Sequence, residues 1–171
     1  MRTIKTKVYE FNELCEAAKE KALSSLAYIN VEDEWWNSTY EDAARIGLQI
    51  DGFDLDRRRH ATGCFNLSAV EVAQNVLNEH GAMCETYKTA EDFLNDHNLI
   101  FADYMSEDSP NYESAELDAQ LVNLESEFLK SLLEDYSIML QNEYEYLTSE
   151  AAIIEAIEAN EYEFTEDGSL V

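Results

Sequence analysis

Leu117, Leu121, Leu124, Phe128, Leu132 and Tyr136, followed by Met139 and Leu140, recur by threes and fours. That spacing gathers side chains onto one face of an α-helix. It predicts one amphipathic helix from about Ser114 to Tyr146, about 50 Å long at 1.5 Å per residue. The 171 residues include only five glycines and one proline, which suits long helices and disfavours a turn-dense β-sandwich. The stripe has two uses: packing within one chain, or pairing with a second copy as a homodimer.

The rest of the chain divides into shorter elements. Arg2 to Phe11 alternates as a strand does, and Asn12 is placed to cap a helix carrying Leu14, Ala18, Ala22 and Leu26. A second helix is expected from near Glu32, with Trp35, Trp36, Tyr40, Ala43, Ala44 and Ile46 as its buried stripe. Gln49 to Asn66 reads as two strands joined by the basic turn Arg57-Arg-Arg. Ser68 and Glu71 make a capping box, with Gly81 at the far end of that helix. Thr89 opens a short helix through Phe93 and Leu94, and Ser106 to Tyr112 forms an exposed loop. Ser149 caps a last helix containing Ile153, Ile154 and Ile157, and Tyr162-Glu-Phe closes the chain as a strand beside the first. The expected fold is therefore a single α+β domain over 1–171, mainly helical. It has about six helices and a small antiparallel sheet near the termini and the Ile50–Phe65 hairpin. Residues 1–102 form its mixed part and 103–171 its strongly acidic helical part.

Charge sets the function classes. The chain carries 37 Asp and Glu against 11 Lys and Arg, a net charge of -26. Nineteen of those acids and a single basic residue, Lys130, lie in 103–171. Direct binding to nucleic acid or to an anionic membrane needs the opposite sign, so a basic protein is the expected partner. Carboxylates expected to meet it are Asp108 and Glu113 from the loop, with Glu125, Glu127, Glu134, Asp135, Glu143 and Glu145 from the long helix. The alternative is an ordinary solvated helix face, although such faces usually mix both signs to gain i,i+4 pairs. Duplex DNA as long as the helix carries roughly 29 phosphates, so mimicry of DNA would need further acids on the same face.

Catalytic and metal chemistry have less to build on. His60-x-x-x-Cys64 and His80-x-x-x-Cys84 hold two His and two Cys, a zinc-compatible set without a Cys-x-x-Cys knuckle. Asp51, Asp54 and Asp56 lie close together, with Asp54 and Asp56 on one face of a strand, and are expected to pair with Arg57, Arg58 or Arg59. No glycine-rich phosphate loop, nucleophile elbow or His-Glu-x-x-His occurs. The reading is of a protein with no catalytic residues, no metal and no cofactor. Cys15, Cys64 and Cys84 fit reduced thiols, and the sequence has neither a signal core nor a membrane span, which together place it in the cytoplasm.

Several blocks carry a resemblance. They are Tyr9-Glu-Phe-Asn-Glu-Leu-Cys-Glu-Ala-Ala-Lys-Glu-Lys-Ala, Asp33-Glu-Trp-Trp, Tyr40-Glu-Asp-Ala, Gly52-Phe-Asp-Leu-Asp-Arg, Cys84-Glu-Thr-Tyr-Lys-Thr-Ala and Asn160-Glu-Tyr-Glu-Phe-Thr-Glu-Asp-Gly. Together they resemble small acidic proteins of bacteriophages and prophages over nearly the whole chain, and the resemblance brings no catalytic residue with it. By analogy the charge is similar to that of DNA-mimic inhibitors of CRISPR or restriction effectors. That implies a host nucleic-acid-binding defence protein as partner, in the host cell cytoplasm. The alternative is a regulatory or antitoxin-like module whose interface is apolar.

Overall fold

A computed structural model describes residues 7–105 and 114–171. In chain order its elements are β1 (Tyr9–Glu10), α1 (Glu16–Ser25), α2 (Asn37–Ile46), β2 (Leu48–Asp54), β3 (His60–Phe65), α3 (Ala69–Glu79), α4 (Glu85–Tyr104), α5 (Ser114–Leu147), α6 (Glu150–Ala159) and β4 (Glu163–Phe164). Mainly helical α+β is thus the fold class, with six α-helices among the described residues. The strands form two separate two-stranded antiparallel sheets, β1 with β4 and β2 with β3.

The described residues gather into two units. The terminal unit joins the segment ending at Trp35 to Asn142–Val171. Tyr9 lies opposite Phe164 and Glu10 opposite Glu163. Beneath this ladder Phe11, Leu14, Ala18, Ala22, Ile153, Ile157 and Phe164 form one buried cluster, so the apolar faces of α1 and α6 bury each other. Lys21 Nζ reaches Asp167 at 2.6 Å and Ser169 Oγ at 2.7 Å. Gly168 adopts φ +81°, where a Cβ would run into the Ala18 carbonyl.

The central unit is Trp36–Gln141. Its core combines Ala43 and Ile46 of α2, Leu48 and Ile50 of β2, Val72 and Val76 of α3, Phe93 of α4, and Phe128, Leu132 and Tyr136 of α5. Gly47 ends α2 in the left-handed region at φ +91°, as a helix C-terminus favours. The β2–β3 hairpin slips register between Ile50 and Gly52, leaving Asp51 as a bulge. Ser68 and Glu71 close their capping box, and Ser149 accepts from the Ala152 N–H at 3.3 Å.

The structure departs from the sequence reading at several points. Cys15, not Asn12, precedes α1, because Phe11–Glu13 turns as a short 3-10 helix. α2 begins at Asn37, so Trp35 and Trp36 precede it, and Ala44 is exposed. The Trp35 ring packs 5.7 Å from Tyr144 and the Trp36 ring 5.8 Å from Phe53. Gly81 is not left-handed, because His80 leaves α3 in an extended conformation. α4 starts at Glu85 rather than Thr89 and runs 20 residues. The Asp51, Asp54 and Asp56 carboxylates do not take the arginines: Asp54 accepts from the Asp56 N–H at 2.8 Å, Asp51 from Gln49 at 2.7 Å, and Arg59 turns to Glu134. Residues 2–6 of the expected first strand, and the loop around Ser106–Tyr112, lie outside the described residues.

Candidate functional site

The acidic residues singled out from the sequence fall in three places. Asp108 and Glu113 lie outside the described residues. Glu143 and Glu145 belong to the terminal unit, Glu143 half-buried and Glu145 exposed. Glu125, Glu127, Glu134 and Asp135 belong to the central unit, where α5 separates them. At about 100° per residue, Glu127 and Glu134 share one side of the helix, Glu125 faces nearly the opposite side, and Asp135 lies between.

Two of these four already have partners. Glu134 Oε1 receives Arg59 Nη2 at 2.6 Å, while Arg59 Nε donates to Ser137 Oγ at 3.1 Å. Asp135 accepts from Thr89 Oγ1 at 2.7 Å. Its carboxyl is pushed up by burial, against the downward pull of that hydrogen bond.

α4 supplies carboxylates that the sequence reading did not single out. Phe93 of α4 stacks on Phe128 of α5 with ring centroids 4.3 Å apart, which holds the two helices side by side. On one flank of that contact, Asp92 and Asp96 of α4 and Glu127 of α5 line an open groove of about 210 Å³. The groove establishes which side of α4 adjoins which side of α5. Seven residues before Asp92 comes Glu85, and seven after Asp96 comes Asp103. Glu134 lies seven residues after Glu127, and Glu116 eleven before it. All these intervals return to the same helix side at 3.6 residues per turn. The outcome is two parallel rows of carboxylates on one flank, Glu85, Asp92, Asp96 and Asp103 beside Glu116, Glu127 and Glu134.

Lys88 sits 2.6 Å from Glu85, as Arg59 does from Glu134. Asp92, Asp96, Asp103, Glu116 and Glu127 are exposed and have no ion-pair partner among the described residues. A signal for the α4 row does exist in the sequence: acids spaced by seven, four and seven. It is legible only once α4 is known to begin before Thr89.

The histidines and cysteines do not assemble. His60 and Cys64 stand at exposed positions of β3, Cys84 is exposed ahead of α4, and His80 turns inward. Among the described residues no group of three or more His, Cys, Asp or Glu side chains is placed to hold a metal. His80 Nδ1 lies 2.7 Å from Thr86 Oγ1, and its Nε2 lies 3.4 Å from Asp42 Oδ2. Asp42 also accepts from the Tyr136 hydroxyl at 2.9 Å and pairs with Arg45 at 2.6 Å. Aspartate, imidazole and hydroxyl in line could in principle activate a nucleophile. Thr86, however, is 4% exposed, so its hydroxyl is spent on packing α4 against the end of α3.

The carboxylate flank can therefore attract cationic side chains by its charge. Among the described residues no helix is long and apolar enough to cross a membrane. Protein-family models, curated proteins and solved structures were each compared with the chain, and none matches it.

Proposed function

We propose that this chain is a non-enzymatic inhibitor that occupies the basic nucleic-acid-binding surface of another protein by acidic mimicry of DNA. The observation that carries this reading is the double row of carboxylates on α4 and α5, five of them without an ion-pair partner among the described residues. A rigid one-signed surface raises the rate of encounter with a Lys/Arg-lined groove and penalises acidic competitors. The rows are sparser than DNA. Glu85 to Asp103 spans about 27 Å of helix, a length over which a duplex carries roughly 16 phosphates, against seven carboxylates here. The match is to the sign and the two-row layout of a duplex rather than to its charge density.

The likeness to small acidic phage and prophage proteins supplies the context. On that basis the partner is a host defence protein, a CRISPR-Cas or restriction effector, met in the host cell cytoplasm. The test is competition: the partner recovered from host lysate should bind either this chain or DNA, not both. Its affinity for the chain should fall steeply between about 50 and about 200 mM salt and fall further in the D92N/D96N/E127Q variant. Binding indifferent to salt and to that variant would remove the proposal. A second reading, a regulatory or antitoxin-like module with an apolar interface, is favoured by one observation, the exposed Leu99, Phe101, Met105 and Val122 on α4, α5 and the residue closing α4.

A further inference from the structure

The other flank of the α4–α5 pair carries a different surface. Phe93 meets Phe128, and nearer the helix ends Ile100 and Tyr104 meet Leu117 and Gln120, so the two helices run antiparallel. Leu94 and Leu129 both pack, half-buried, against the central core. Seven residues further from that core along each helix, Phe101 and Val122 return to the same side. They are 41% and 63% exposed, and Met105, four residues past Phe101, is 77% exposed. Among the described residues, the apolar stripe thus continues beyond the part of the chain that covers it. Phe101 is also braced, its ring 4.9 Å from His97, which in turn lies 5.8 Å from Phe93.

We infer that this shelf binds one amphipathic helix of a partner protein, its apolar face on Phe101, Met105 and Val122 and its Lys or Arg residues beside Asp118 and Glu125. Charge selects that occupant. Asp118 and Glu125 lie four residues before and three after Val122, so they border it on the same flank. Both are exposed and have no ion-pair partner among the described residues. From Thr89 to Leu129 the sequence contains no Lys or Arg. A second copy of a chain with net charge -26 would set these acids against acids, and a purely polybasic segment would leave the apolar shelf wet. A basic amphipathic helix satisfies both features, in the manner of helix-in-groove recognition. The inference rests on the partner being basic, and adds a contact that works by apolar burial on the flank away from the carboxylate rows.

Two synthetic helical peptides of about five turns separate the terms: one with Leu on one face and Lys on the other, and one with Ser in place of Leu at equal charge. Fluorescence anisotropy should show the Leu/Lys peptide binding at least about tenfold more tightly, with NMR shifts at the Met105 and Val122 methyls. The F101S/V122S variant, its fold checked by circular dichroism, should lose that margin while binding the Ser/Lys peptide unchanged, and D92N/D96N/E127Q should keep the margin. Equal affinity for both peptides would overturn the shelf and leave the acidic-surface reading standing. Failure to bind either peptide at low salt would overturn both. Self-association of the free protein that F101S/V122S abolishes would assign the shelf to a second copy and overturn the inference.

Discussion

The Tyr136 hydroxyl ties the long helix to α2 beneath the acidic flank, and its removal can be worked through in detail. Tyr136 is fully buried, and its hydroxyl donates to Asp42 Oδ2 at 2.9 Å. Tyr136→Phe keeps the ring and its packing, so no cavity opens. What is lost is a hydrogen bond to a charged acceptor, worth about 1.5–3 kcal/mol. Asp42 retains Arg45 at 2.6 Å, which points to the lower part of that range, about 1.5–2 kcal/mol. In urea unfolding at pH 7 followed by circular dichroism, the midpoint should fall by roughly 1 M at an unchanged slope. A second arm uses pH. Burial, with Asp42 beside it, raises the Tyr136 hydroxyl above its ordinary value. Above about pH 10 the unfolded chain therefore loses a proton that the folded chain keeps, and the stability tied to Tyr136 declines by about 1.4 kcal/mol per pH unit. The gap between wild type and Y136F should narrow by that amount by about pH 11. A variant within about 0.5 kcal/mol of wild type at pH 7, or a gap that stays constant into alkaline pH, would refute the reasoning.

Three further substitutions probe the terminal and central units. Gly168→Ala combines a left-handed backbone with a collision against the Ala18 carbonyl, while Gly47→Ala meets only the flexible Leu67 side chain, 2.7 Å from the added carbon. Thermal unfolding should show a cost of about 1–2 kcal/mol for G47A and a larger one for G168A, and equal costs would contradict the close approach at Ala18. Asp167 is held below the ordinary carboxylate range by hydrogen bonds from Lys21 and Thr165. Its contribution is present above about pH 4 and is lost only as pH falls through the lowered folded value. Asp167→Asn should thus be less stable than wild type at neutral pH, with the difference closing in strong acid; a difference that closes on the alkaline side instead would reverse the assigned cause.

What the sequence disclosed follows from how local each signal is. The stripe from Leu117 to Leu140 lies within one helix, and its expected span, Ser114 to Tyr146, differs from the observed Ser114–Leu147 by a single residue. The Ser68–Glu71 box and the hairpin around Arg57-Arg-Arg are equally local and were legible. α4 was foreshortened because Thr89, a plausible first-turn residue, lies inside a helix that starts at Glu85, where an exposed Cys84 without a side-chain cap bond gives little warning. Tertiary partners were out of reach. Arg59 sits beside three aspartates in sequence yet spends its guanidinium on Glu134 and Ser137, 75 and 78 residues away. Six of the eight expected acidic contacts lie along one helix and two in the loop before it, whereas the flank is made by two helices. Asp92 and Asp96 acquire meaning only after Phe93 and Phe128 have fixed which sides adjoin.

The pairing of Tyr9 with Phe164 also dictates a birth order. Trp36–Gln141 is an uninterrupted stretch, complete once its last residue has left the ribosome. α1, made before that stretch, must wait until after it for Ile157 and Phe164 to arrive and cover Phe11 and Ala18. Closing so long a loop is slow relative to local helix formation. During synthesis, the apolar face of α1 therefore stays uncovered while the whole central unit is made.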